Sequence, residues 1–142
     1  MKPNIEILEG NLVLYDKINE LRELLSFTSK PLLSDIRILP ALHEYLSSII
    51  HINDKRDILR VELFVLIYLY NPMQLVSSMG RGNRGVMSAI AKATGITYCN
   101  LFKYKYTLMP RYKTYRDFRT AANEAFVAVC EEYAEYFDVE IR

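Results

Sequence analysis

Eight residues in a row, Leu63-Phe64-Val65-Leu66-Ile67-Tyr68-Leu69-Tyr70, carry neither a charge nor an amide. Such a run is apolar in every direction, so whatever element it forms must be surrounded by other parts of the chain. As a helix it rises only about 12 Å, far short of a bilayer core of ~30 Å. Burial at the centre of a domain is therefore expected, and no membrane partner. Its Val, Ile and Tyr content would equally suit a buried strand. The upstream residues favour a helix over Asp54 to Tyr70. Asn53 is placed to cap it, and Asp54 and Asp57 lie near its positive end.

Helical periodicity fills most of the remainder. Leu14, Ile18, Leu21 and Leu25 recur at spacings of three and four, predicting an amphipathic helix over Leu12 to Phe27. Thr28-Ser29-Lys30-Pro31 breaks it. Ser34 to Ile50 is a second helical stretch, with a fresh start at Pro40 and an apolar stripe of Leu42, Tyr45, Leu46 and Ile49. Asn71-Pro72 ends the central helix and starts a short turn over Pro72 to Ser78. Gly80 to Gly85 reads as a loop. Two short helices follow, Val86 to Thr94 and Tyr98 to Met109, the second closed by Pro110. Thr114 then caps a last helix to about Phe137, with Asp117 completing a capping box. Its buried face is Phe118, Ala121, Ala122, Ala125, Val129, Tyr133 and Tyr136. The expected fold is all-α, a compact multi-helix domain.

A length of 142 residues suits one domain with one core, spanning 1–142. Hydrophobic residues make up 51% and charged residues 25%, which argues against disorder. The net charge of +1 hides a segregated pattern. Met1 to Tyr70 hold 8 basic and 10 acidic residues, and Asp117 to Arg142 hold 2 and 7. Between them, Asn71 to Arg116 hold 8 basic residues and no acidic one. Three zones result: a helical core at 1–70 that is also a candidate dimer region, a basic segment at 71–116, and an acidic C-terminal helix at 117–142. An acid-free basic segment is a candidate footprint for a polyanion, or else a surface that lies against the acidic ends.

Within that segment lies Ile90-Ala91-Lys92-Ala93-Thr94-Gly95-Ile96-Thr97-Tyr98-Cys99-Asn100-Leu101. A steep crossing of two helices needs a positive-φ turn residue, supplied by Gly95. It needs a small residue for close approach, Ala91, and an apolar plug, Ile96. It needs a cap for the second helix, Thr97. Leu101 and Tyr104 then share one face of that helix and are expected to be buried.

These residues resemble the helix-turn-helix family of DNA-binding proteins. Ile90, Ala91, Gly95, Ile96, Thr97 and Leu101 match its apolar, small, glycine, apolar, capping and apolar positions. The wider run from Asn71 to Phe118 looks like small helix-turn-helix proteins of phages and mobile elements. The resemblance covers about a third of the chain. It implies sequence-specific binding of double-stranded DNA, in transcriptional regulation or in phage or mobile-element DNA handling. On this register the second helix reads DNA through Thr97, Tyr98, Asn100, Lys103 and Tyr106. Asn suits adenine, Lys guanine or phosphate, and Tyr phosphate or a thymine methyl. Arg81, Arg84, Lys92, Lys105, Arg111 and Lys113 are the expected phosphate contacts. Two such motifs spaced by a DNA turn imply a homodimer.

The alternative is a protein-interaction module whose basic segment docks an acidic partner, favoured by Cys99, Phe102 and Tyr106 on the outward side of the second helix. No enzyme activity and no cofactor are expected. Ser47 and Ser48 lie in no nucleophile pattern, and Gly80 to Gly85 lacks the Lys-Ser/Thr of a phosphate loop. Glu131, Glu132 and Glu135 read as a solvated acidic face. His43 and His51 lack ligand spacing, so no metal is expected. Met1-Lys2-Pro3-Asn4 leads into no signal-type stretch, and the isolated Cys99 and Cys130 suit a reducing compartment. A cytoplasmic protein is the expectation.

Overall fold

The computed structural model describes residues 5–28, 30–76 and 84–138. All of the regular structure among them is helical, and Leu63 to Tyr70 is helix rather than strand. The described residues form seven α-helices: α1 (Ile5–Thr28), α2 (Leu39–Ile49), α3 (Lys55–Tyr70), α4 (Met73–Val76), α5 (Arg84–Thr94), α6 (Tyr98–Thr114) and α7 (Arg116–Glu132). Short 3-10 turns sit at Ile36–Ile38 and Ala134–Tyr136. No described helix is long and apolar enough to cross a membrane. The fold is all-α.

Contacts group the chain into two units, Met1–Lys30 and Pro31–Arg142. The first consists of α1, which begins seven residues earlier than its apolar period suggests. In the second unit α3 is the axis, packing against α2, α4, α5, α6 and α7. Val61 through Ile67, then Leu69 and Tyr70, are buried, while Tyr68 reaches the surface beside Phe126. Leu33, Leu42, Leu46, Met87, Ile90, Leu101, Leu108, Phe118 and Val129 complete the core from all sides.

Several boundaries differ from expectation, each for a local reason. The stretch from Ser34 starts as a 3-10 turn capped by Asp35, which accepts from the Arg37 N–H, and Pro40 then opens α2. Asp54, not Asn53, caps α3 by accepting from the Arg56 N–H at 3.0 Å. Gly85 belongs to the first turn of α5, where glycine costs less than in mid-helix, so Arg84 starts a helix rather than ending a loop. The loop expectation at residues 80–83 and the end of the turn at Ser78 lie outside the described residues.

The largest correction concerns α6, which continues through Pro110 to Thr114. Proline removes one hydrogen bond, to the Tyr106 carbonyl, but Tyr106 and Pro110 both lie on the solvent side. Continuing the helix buries Leu108 and stacks Tyr112 on Phe64, with ring centroids 4.7 Å apart. That gain outweighs one exposed bond. Thr114 is consequently the last residue of α6 and caps nothing. Tyr115 joins α6 to α7 without a side-chain cap, and Asp117 accepts from the adjacent Phe118 N–H. The last helix ends at Glu132, and Tyr136 lies outside it, exposed.

Candidate nucleic-acid interface

The connection between α5 and α6 follows from three residues. Gly95 has φ +76°, the only positive-φ residue among those described. Its N–H donates to the Lys92 carbonyl at 3.3 Å, and the Ile96 N–H donates to Ala91 at 3.1 Å. These two bonds are the paired closure of a helix ended by a left-handed glycine. Ile96 turns inward and packs on the core. Thr97 is extended, at φ −71° and ψ 153°, and its hydroxyl oxygen accepts from the Asn100 N–H at 3.1 Å. Thr94 ends α5 with its hydroxyl turned back onto the Ile90 carbonyl at 2.8 Å, so a polar residue sits there without an unmet bond.

Helix α6 has two faces. Leu101, Lys105 and Leu108 are buried, and Tyr104 is half-buried, less than expected. Cys99, Asn100, Lys103, Tyr106, Thr107, Pro110 and Lys113 are exposed. Asn100, Lys103 and Tyr106 recur every three residues and so form one outward stripe. Lys113 lies on its continuation. Thr97 and Lys92 are exposed nearby in sequence, and Tyr98 is half-buried. Phe102 is half-buried too, its ring 4.8 Å from that of Tyr98. The outward apolar character expected of it is partly absorbed by this ring contact.

Two expected phosphate contacts are committed elsewhere. Lys105 is only 4% exposed, and its Nζ donates to Gln74 Oε1 at 2.6 Å. The Phe102 and Tyr106 rings flank the ammonium at 5.0 and 5.2 Å. Burial pulls its pKa below the ordinary lysine value. Arg111 is half-buried because the lengthened α6 carries it to the first turn of α3. There its Nη1 lies 3.4 Å from Asp57 Oδ1, a carboxylate shared with Arg60 at 2.8 Å. Part of the basic segment thus does lie against an acidic neighbour. Arg81 lies outside the described residues, as does the side chain of Arg84.

Arg116 is not among the expected phosphate contacts, although it belongs to the acid-free segment. It opens α7 and is exposed beside Tyr115. The four basic side chains described as exposed between Asn71 and Arg116 are therefore Lys92, Lys103, Lys113 and Arg116. Among the described residues no group of three His, Cys, Asp or Glu converges as a metal site would. A scan against protein-family models and searches of curated proteins and of solved structures found no match to this chain.

Proposed function

We propose that the protein binds double-stranded DNA through a helix-turn-helix formed by α5 and α6, with the N-terminal half of α6 as the recognition helix. The observation that carries this reading is the outward stripe Asn100, Lys103 and Tyr106, which follows a glycine turn and a threonine cap. A helix entered through a tight turn can project its first two turns into a major groove. Asn100 and Lys103 carry groups that pair with base edges, while Lys92, Lys113 and Arg116 suit phosphates. The Thr97 oxygen already accepts one bond, which leaves its O–H to donate to a phosphate. Transcriptional regulation and phage or mobile-element DNA handling are the roles this activity would serve.

Titration of the full chain against random duplex DNA at several salt concentrations tests the proposal. Neutralising about three phosphates gives a slope near −3 in log affinity against log salt. Selection from a randomised duplex pool should then yield a preferred site. Absence of duplex binding at about 50 mM salt would transfer the surface to an acidic protein partner.

A further inference from the structure

A feature unrelated to DNA binding stands out in α1. Its seam residues recur with a period of seven: Asn11, Leu14, Ile18 and Leu21 occupy alternating a and d positions. In sequence the repeat extends one layer further at each end, to Ile7 and Leu25. All four central residues are solvent-exposed, with Leu14 at 58%, Ile18 at 44% and Leu21 at 64%. Tyr15, on the flank of the seam, is 65% exposed. Helices in water draw most of their stability from a packed apolar face, whereas the four central seam residues here are exposed. Contiguous exposed apolar surface of this kind marks an interaction site.

We propose that α1 pairs with α1 of a second copy of this chain, as a parallel two-stranded coiled coil in register at Asn11. The residue types select this occupant. A β-branched residue at a, here Ile18, with leucine at d, here Leu14 and Leu21, favours two strands, while Leu25 at a and Ile7 at d pull towards three or four, so the asparagine decides. A single asparagine at a is the device that fixes register and strand number, because each amide finds its partner only in its own counterpart. The area agrees. Counted from the sequence, six seam layers at on the order of 100 Å² per side chain would bury roughly 1,200 Å² over two copies, the lower bound of a stable interface.

Orientation is decided by comparing two costs. Pairing in parallel sets Lys17 at g near Arg22 of the second copy at e, giving two like-charge rim pairs that each weaken association about twofold. Antiparallel pairing would place Asn11 opposite leucine, and each unmet buried amide weakens association at least about fivefold. The parallel arrangement wins. Because its one defect is a screened repulsion, added salt tightens the dimer, whereas salt weakens duplex binding. The two proposals therefore fail independently.

Sedimentation of the full chain provides the test. The wild-type chain is expected to be dimeric at about 50 µM, and the Ile18→Lys/Leu21→Lys variant monomeric, its dissociation constant raised at least 100-fold. Both residues are exposed within one chain, so the variant should keep the thermal midpoint of Pro31–Arg142. Leu14→Cys, in a Cys99→Ser/Cys130→Ser background that keeps Asn11, should oxidise to a disulfide-linked pair. A monomeric wild-type chain overturns the proposal. So does a variant that remains dimeric, which places the interface elsewhere. A loss of thermal midpoint in a monomeric chain shows that the seam is covered by its own chain. Failure of Leu14→Cys to cross-link within a dimer overturns the parallel register.

Discussion

Lys103 and Lys105 are two residues apart in sequence and differ completely in surroundings. Lys103 is exposed on the outward stripe, so its ammonium is available to a ligand. Lys103→Ala should weaken a selected duplex site by about 1–3 kcal/mol, more than it weakens a scrambled duplex, if the side chain reads a base. Lys92→Ala should weaken both duplexes alike and reduce the salt slope by roughly one unit, the signature of a phosphate contact. Equal binding by both variants and the parent would remove this face from the DNA reading. Lys105 calls for a different experiment. It holds a buried ammonium against a neutral amide, with two rings rather than a carboxylate as further company. Replacing both partners by apolar groups of similar volume is often neutral or stabilising at such a site. Lys105→Met combined with Gln74→Leu should therefore leave thermal stability unchanged or raise it. A loss of several kcal/mol by denaturant titration would mean that the Gln74 bond holds α4 in place.

At the scale of elements, what was legible in the sequence is what is decided locally. A left-handed turn residue followed by a cap needs only neighbouring atoms, so Gly95, Ile96 and Thr97 behave as their types suggest. The continuation of α6 was not legible, because it depends on Tyr112 reaching Phe64, forty-eight residues earlier. Proline at 110 reads as a stop until that distant ring is known. The burial of Lys105 likewise depends on Gln74, on another helix. The candidate site was thus half readable: the stripe Asn100, Lys103 and Tyr106 follows from helical period, while the loss of Lys105 and Arg111 follows from packing. The turn itself offers a clean test. A Cβ added at Gly95 would meet nothing within 4 Å, so only the backbone conformation opposes substitution. Gly95→Ala should cost about 1–2 kcal/mol, and Gly95→Asn less, since asparagine tolerates positive φ. An alanine variant as stable as the parent would show that α5 and α6 can be joined without the left-handed turn.

The whole Pro31–Arg142 unit shares one consequence of its core, a dependence of stability on pH. Glu62 sits on the central helix α3 and is 1% exposed, its Oε1 bonded to His43 Nδ1 on α2. Burial raises its pKa above the ordinary value of 4.5, and the bond to His43 only partly opposes the shift. The folded carboxyl therefore holds its proton more tightly than the unfolded one. Below pH 4.5 both states are protonated and this contribution to stability is complete. As pH rises above the unfolded value the unfolded chain loses its proton first, and stability declines until the folded carboxyl also ionises. Glu62→Gln removes the titration while keeping a side chain that can bond His43. Denaturant midpoints of the two proteins across pH 4 to 8 should then diverge, with the parent losing stability relative to Glu62→Gln as pH rises. Curves that stay parallel across this range would show that Glu62 binds its proton equally in both states. The opposite divergence would show that the bond to His43 outweighs burial.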